Sequence, residues 1–225
     1  LSKDSILINK PIFEELTNDY GIDYIHQEND FVDFDRQRLL FTMRSNETPC
    51  LCKGDINSDS LEDFYIGSAK GFSSILFIQL PNGRFNKIQN PFILEKGSED
   101  TDCIISDFNN DGNNDIYVAS GGNEFTEFST QLFDRLYFGD GKGGFKKSEQ
   151  LFPIGVPFQS TKGVSYNDFD NDGDNDLFVG GRLESGIYGI PSSSFILQND
   201  GNGYFSNVTD SVAPDLKFLG MVTDS

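Results

Sequence analysis

One nine-residue pattern occurs three times in this chain and constrains its fold more than any other feature. It reads Asp55-Ile-Asn57-Ser-Asp59-Ser60-Leu-Glu-Asp63, then Asp107-Phe-Asn109-Asn-Asp111-Gly112-Asn-Asn-Asp115, then Asp168-Phe-Asp170-Asn-Asp172-Gly173-Asp-Asn-Asp176. The copies begin 52 and 61 residues apart, the spacing of an array of supersecondary units. Each is followed at once by a short apolar and aromatic run: Phe64-Tyr-Ile-Gly67, Ile116-Tyr-Val-Ala119 and Leu177-Phe-Val-Gly180. Such runs, bounded by turn residues, predict strands. Further along each unit comes a turn closing on an aromatic: Pro81-Asn-Gly-Arg-Phe85, Gly139-Asp-Gly-Lys-Gly-Gly-Phe145 and Asn199-Asp-Gly-Asn-Gly-Tyr-Phe205. Asn-Gly and Asp-Gly between apolar runs are strong hairpin signals.

Each unit therefore reads strand, acidic loop, strand, connection, strand, hairpin turn, strand. In the first unit the strands are expected near Pro49–Gly54, Phe64–Gly67, Ser74–Leu80 and Phe85–Ile88. Four antiparallel strands per period define a β-propeller blade. The fold class is all-β, an incomplete propeller organised as one repeat domain over 1–225. A partial blade and connecting segment fill 1–44. Blades follow at 45–95, 96–157 and 158–214, and a further blade starts at 215–225. The partial blade is expected because Ser5–Asn9 and Ile12–Thr17 resemble the last two strands of the third unit, Phe195–Asn199 and Phe205–Thr209. With no initiator Met at Leu1, the chain reads as a processed or trimmed piece, and missing blades or further domains of a longer protein are expected partners.

The acidic loops have a chemical reading. Calcium takes six to eight oxygens at about 2.3–2.6 Å. Asp or Asn at loop positions 1, 3 and 5 turns side-chain oxygens toward one centre, and position 9 adds another. Gly at position 6 permits a sharp turn. Ligation by oxygen without His or Cys selects hard cations. The expected metal ligands are Asp55, Asn57, Asp59 and Asp63; Asp107, Asn109, Asp111 and Asp115; and Asp168, Asp170, Asp172 and Asp176. The third loop, with four carboxylates, should bind most tightly. The first has Ser60 where the others have Gly and should be weakest.

The chain of 225 residues carries 36 acidic against 17 basic residues, a net charge of −19. So acidic a surface repels nucleic acid and anionic lipid, and neither is an expected partner. No apolar run approaches the roughly 18 residues of a membrane-crossing helix, so direct membrane insertion is not expected. Three cysteines, Cys50, Cys52 and Cys103, are read as small buried thiols, and they do not decide the redox compartment.

Catalytic constellations are absent. His26 is the single histidine, and no Gly-x-Ser-x-Gly elbow accompanies it. Gly139–Gly144 is Gly-rich but lacks the Lys-Ser/Thr of a phosphate loop. The chain is read as no enzyme. Two long connections, Gly121–Arg135 and Arg182–Ser193, leave the strand ends opposite the acidic loops. They carry Asn123, Glu124, Phe125, Arg182 and Tyr188 as candidate ligand-binding residues, since long loops on a rigid scaffold are where binding usually resides.

At these residues the sequence resembles the FG-GAP or VCBS repeats of integrin-type β-propellers, and within them bacterial proteins of the ASPIC/UnbV and cartilage-acidic-protein type. The stretches that carry the resemblance are His26-Gln-Glu-Asn-Asp-Phe31-Val-Asp-Phe34, Lys53-Gly-Asp55, Phe64-Tyr-Ile-Gly-Ser-Ala-Lys-Gly71, Ala119-Ser-Gly-Gly-Asn-Glu124 and Phe178-Val-Gly-Gly-Arg182. The resemblance implies an exported protein of a Gram-negative bacterium, placed in the periplasm, on the outer-membrane surface (often lipid-anchored) or outside the cell. Two functions are compatible with it. One is a calcium-stabilised module that binds a glycan or protein. The other is the scaffold of an extracellular polysaccharide-active enzyme such as a lyase.

Overall fold

The computed structural model describes residues 13–46, 49–88, 92–126, 128–152, 158–183 and 192–218. Twelve strands form three four-stranded antiparallel sheets, each ordered as its strands occur in sequence. The first holds β1 (Leu51–Gly54), β2 (Asp63–Ile66), β3 (Ile75–Gln79) and β4 (Phe85–Ile88). The second holds β5 (Asp100–Ser106), β6 (Asp115–Ser120), β7 (Arg135–Gly139) and β8 (Phe145–Lys147). The third holds β9 (Ser160–Asn167), β10 (Asp176–Leu183), β11 (Phe195–Asn199) and β12 (Phe205–Asn207). In each unit the acidic loop joins the first two strands, as the repeat predicts. The longest helical segment among the described residues, Pro214–Phe218, has five residues.

The hairpin turns close alike. The Asp140 amide donates to the Gly144 carbonyl at 3.0 Å, while the Asp140 carboxylate accepts the Lys142 and Gly144 amides at 2.8 Å each. Asp200 does the same with Asn202 and Tyr204. The first unit has Leu80 at this position, and Asn82 caps the Arg84 amide instead.

The sheets pack face to face. Cys52, Ile56, Tyr65, Leu76 and Ile78 of the first meet Cys103, Ile105, Ile116, Val118 and Tyr137 of the second. Phe108, Tyr117 and Leu136 of the second meet Leu177, Val179, Phe195 and Leu197 of the third. An aromatic from each inter-sheet connection fills the seam. Phe92 lies edge-on to Tyr65 and Tyr137, with centroids 5.0 and 5.2 Å away, and Phe152 lies edge-on to Tyr117 at 5.4 Å. The outer face of the first sheet is covered by Ile22 and Tyr24. That of the third is not covered among the described residues: Phe169, Phe178, Ile196 and Val212 line an apolar cleft of about 240 Å³.

One expectation needs correction, and those for the two ends of the chain fall largely outside the described residues. Cys52 and Cys103 are not separate thiols but a disulfide joining β1 to β5, with Cα atoms 5.7 Å apart, and Cys50 remains free and buried. The first strands of neighbouring sheets lie side by side, which places the two sulfurs together. Ser5–Asn9 of the expected partial blade lies outside the described residues. Its other half is described from Phe13 and forms no strand; a helical turn, Thr17–Tyr20, stands there, like Thr209–Val212 after β12. At the far end Phe218 closes a helical turn, and 219–225, which hold nearly all of the expected opening strand, lie outside the described residues.

Two buried carboxylates stitch the strand ends opposite the acidic loops. Asp100 accepts the Tyr65 hydroxyl at 2.8 Å and the Ser68 amide at 3.1 Å, and also bonds Ser74 and the Arg135 guanidinium. Asp134 accepts the Tyr117 hydroxyl at 2.8 Å and the Ser120 amide at 2.7 Å.

Candidate metal centre

The three acidic loops share one hydrogen-bond scheme, built by their own carboxylates. The residue at position 1 accepts the amides at positions 5 and 6: Asp55 from Asp59 and Ser60, Asp107 from Asp111 and Gly112, Asp168 from Asp172 and Gly173, at 2.8–3.3 Å. Position 3 also accepts the amide at position 5, and position 5 accepts the amide at position 7. The backbone is left-handed at positions 4 and 6. Ser58, Asn110 and Asn171 have φ of 59°, 55° and 63°; Ser60, Gly112 and Gly173 have 68°, 85° and 100°. Glycine takes this conformation freely, whereas a residue with a Cβ does so at a cost of about 1–2 kcal/mol. The first loop carries that cost at Ser60.

Position 9 begins the second strand and is buried in every copy. Asp63 accepts the Ile56 and Gln79 amides, Asp115 those of Phe108 and Gly139, and Asp176 those of Phe169 and Asn199, at 2.7–3.1 Å. One carboxylate thus ties the loop to the end of the third strand. Burial pushes all three up in pKa, against their hydrogen bonds and helped by the neighbouring loop carboxylates, and Asp115 reaches about 6.

Oxygens of Asp168, Asp170 and Asp176 all lie within 4.8 Å of one another, the one such carboxylate group among the described residues. Asp172 stands outside it, its carboxylate engaged by the Asp174 amide. In the other loops Asn57 and Asn109 replace the position-3 carboxylate and donate to Asp59 and Asp111. The donor set is oxygen only, and three carboxylates so close repel unless a cation lies among them. The residues fit a hard divalent ion.

Position 8, which the sequence reading passed over, laces the units together. Asn114 donates to the Asp55 carbonyl at 2.7 Å, and Asn175 to the Ser106 hydroxyl at 3.0 Å. Each loop is thereby held to the unit before it. Asn at the same place in two copies was the available signal.

At the opposite strand ends the candidate ligand-binding residues Asn123, Glu124 and Phe125 are buried. They receive the N-terminal segment. Asn123 donates to Asp33 at 2.8 Å, Asn29 donates to Glu124 at 2.7 Å, Arg36 bonds the Asn123 and Phe125 carbonyls, and the Lys70 ammonium lies 4.7 Å from the Phe125 ring centroid. Asp33, fully buried, also accepts the Arg44 and Ser45 amides and the Ser45 hydroxyl. Burial is the largest influence on its carboxyl and pushes it up, yet these hydrogen bonds together outweigh it and hold the pKa below the usual value. Arg182 is half-buried on β10, and Tyr188 lies outside the described residues. His26 is held at both ring nitrogens, Nδ1 by the Tyr24 hydroxyl at 3.0 Å and Nε2 by Glu28.

The model of the family described as FG-GAP-like repeat matches residues 55–118 and again 107–179. Each match begins at position 1 of an acidic loop, and the second ends in the strand after the third loop. Comparison with the curated proteins returned no match.

Proposed function

This chain belongs to the FG-GAP-like repeat family, and from that premise we propose that it is a calcium-stapled β-propeller module that binds a glycan or protein partner outside the cell. The observation that carries the reading is the convergence of Asp168, Asp170 and Asp176 inside a loop whose scheme recurs in two other units. Asp168, Asp170, Asp172 and Asp176 would hold one ion, and Asp107, Asn109, Asp111 and Asp115 another. Asp55, Asn57, Asp59 and Asp63 would form the weakest site. When bound, the ion neutralises crowded carboxylates. The protein's own part is to preset the loop by the amide bonds at positions 5 to 7 and by the position-9 anchor.

The module does no chemistry of its own in this reading. Both nitrogens of the single histidine are engaged, and burial, the largest influence, pushes Tyr24 up to about 12, far from the pKa a base needs near neutrality. That argues against a lyase centre here. Export accords with calcium affinities that fill only where calcium is plentiful. No helix among the described residues is long and apolar enough to cross a membrane. A further blade is the proposed occupant of the third sheet's outer face. Phe169, Phe178 and Ile196 there repeat Phe108, Tyr117 and Leu136, which the second sheet buries against the third.

Calorimetric titration of calcium into chelator-treated protein tests the metal reading. At least two sites are expected, and no heat at millimolar calcium would refute it. A glycan array with and without chelator tests the binding role.

A further inference from the structure

We infer that the cleft between the N-terminal segment and the first sheet binds a sugar acid, a small polyhydroxylated ligand bearing one carboxylate. The inference rests on reading the chain as a binding module and adds a place and a ligand class. The cleft has a volume of about 350 Å³, toward the lower end for small-molecule sites and suited to a monosaccharide-sized ligand. It lies at the strand ends opposite the acidic loops. Asp23 and Tyr24 come from one side; Phe72, Ser73, Lys87 and Lys96 come from the other.

Charge sets the ligand class. Lys87 is steadied by Asp23, its Nζ 3.3 Å from the backbone carbonyl and 3.5 Å from the carboxylate. Lys96 stands exposed at the rim. Among the residues that line the cleft, two ammonium groups face the single carboxylate of Asp23, in a chain of net −19. Ammonium groups so placed attract an anion to the cleft.

Polarity sets the rest. The Ser73 hydroxyl is buried and has no hydrogen-bond partner among the described residues, a state buried polar groups avoid; a ligand hydroxyl would satisfy it. Tyr24 and Phe72 offer aromatic surface to the apolar edge of a sugar ring. His26 also borders the cleft, but with both nitrogens engaged it shapes the wall and performs no reaction.

Isothermal titration of D-glucuronate into the calcium-loaded chain tests this, with D-glucose and the methyl ester of glucuronate as uncharged controls. Glucuronate should bind with Kd of order 1 mM or tighter, and both controls at least tenfold more weakly. Lys96→Gln, a change at an exposed side chain, should weaken glucuronate at least threefold without moving the melting midpoint; Lys87→Gln should do the same or more. The inference is overturned if glucuronate gives no heat, if the esters and acids bind alike, or if both lysine variants bind as the parent does. The calcium-dependent melting rise, measured on the same samples, separates this failure from failure of the calcium reading. An intact rise without glucuronate binding sinks the cleft alone. Glucuronate binding without the rise sinks the calcium staple alone, because no loop ligand lines the cleft.

Discussion

Replacing Asp134 by Asn should change how stability depends on pH. The carboxyl is fully buried, bonded by Tyr117 and Ser120. Burial is the main cause that raises its pKa from the ordinary 3.8 to about 7, against the hydrogen bonds and the Arg135 charge. In the native state it therefore holds a proton that the unfolded chain releases above about pH 4. A pKa raised on folding contributes stability that is complete below the unfolded value and is lost as pH rises through the folded one. The gap between 3.8 and about 7 corresponds to about 4 kcal/mol, lost between about pH 4 and 8. Asn keeps the partners, since its oxygen can take the Ser120 amide and its NH₂ can donate to the Tyr117 hydroxyl, but it does not titrate. The variant should match the parent only below about pH 4, exceed it by about 1–2 kcal/mol at pH 5 and by about 4 kcal/mol at pH 8. Urea unfolding followed by far-UV circular dichroism suits a chain without Trp. Calcium is kept constant so that the loops cancel in the difference. A parent-minus-variant difference that stays the same from pH 5 to pH 8 would falsify the reasoning.

Four further outcomes are expected. Calcium at a hundredfold excess over Kd should add about 2.7 kcal/mol per site, and Asp168→Ala and Asp111→Ala should each remove part of that gain additively, being in different sheets; a thermal melt with and without chelator reads this, and strong non-additivity would count against independent sites. Cutting the Cys52–Cys103 bridge, which closes 51 residues, by the double change to Ser should cost about 4 kcal/mol by loop entropy; a parent whose urea midpoint does not respond to reductant would refute the pairing. Arg135→Met should destabilise by about 3–5 kcal/mol because it strands Asp100 in the interior, and adding Asp100→Asn should restore much of the loss; no restoration would mean the guanidinium acts by packing. Asn123→Ala should speed amide exchange over residues 29–37 and leave the calcium-dependent melting rise unchanged; a lost rise would contradict the separation of the two strand ends.

The units, their four strands and the turns between them are legible along the chain because each is decided locally. A left-handed turn needs Gly or Asn, an Asx residue captures amides two to five positions ahead, and β-branched and aromatic runs pair with their immediate neighbours. The loop carboxylates proposed as ligands belong to the same class, since positions 1, 3 and 5 lie within one turn. Position 9 is legible as an acid but not as an anchor: the Gln79, Gly139 and Asn199 amides it holds come from the third strand. What the tertiary structure alone decides is whatever meets across units. Cys52 finds Cys103 because β1 and β5 run side by side, and no spacing encodes that. Asn123, Glu124 and Phe125 sit in a long, polar, aromatic connection that looks like a binding loop, yet Asp33, Arg36 and Asn29 arrive from about ninety residues away and take their hydrogen bonds. The cleft beside Lys87 and Lys96 exists only because that same N-terminal segment lies against the first sheet. Local rules write the blades; long-range packing decides which of their polar groups are already satisfied and which are left for a ligand.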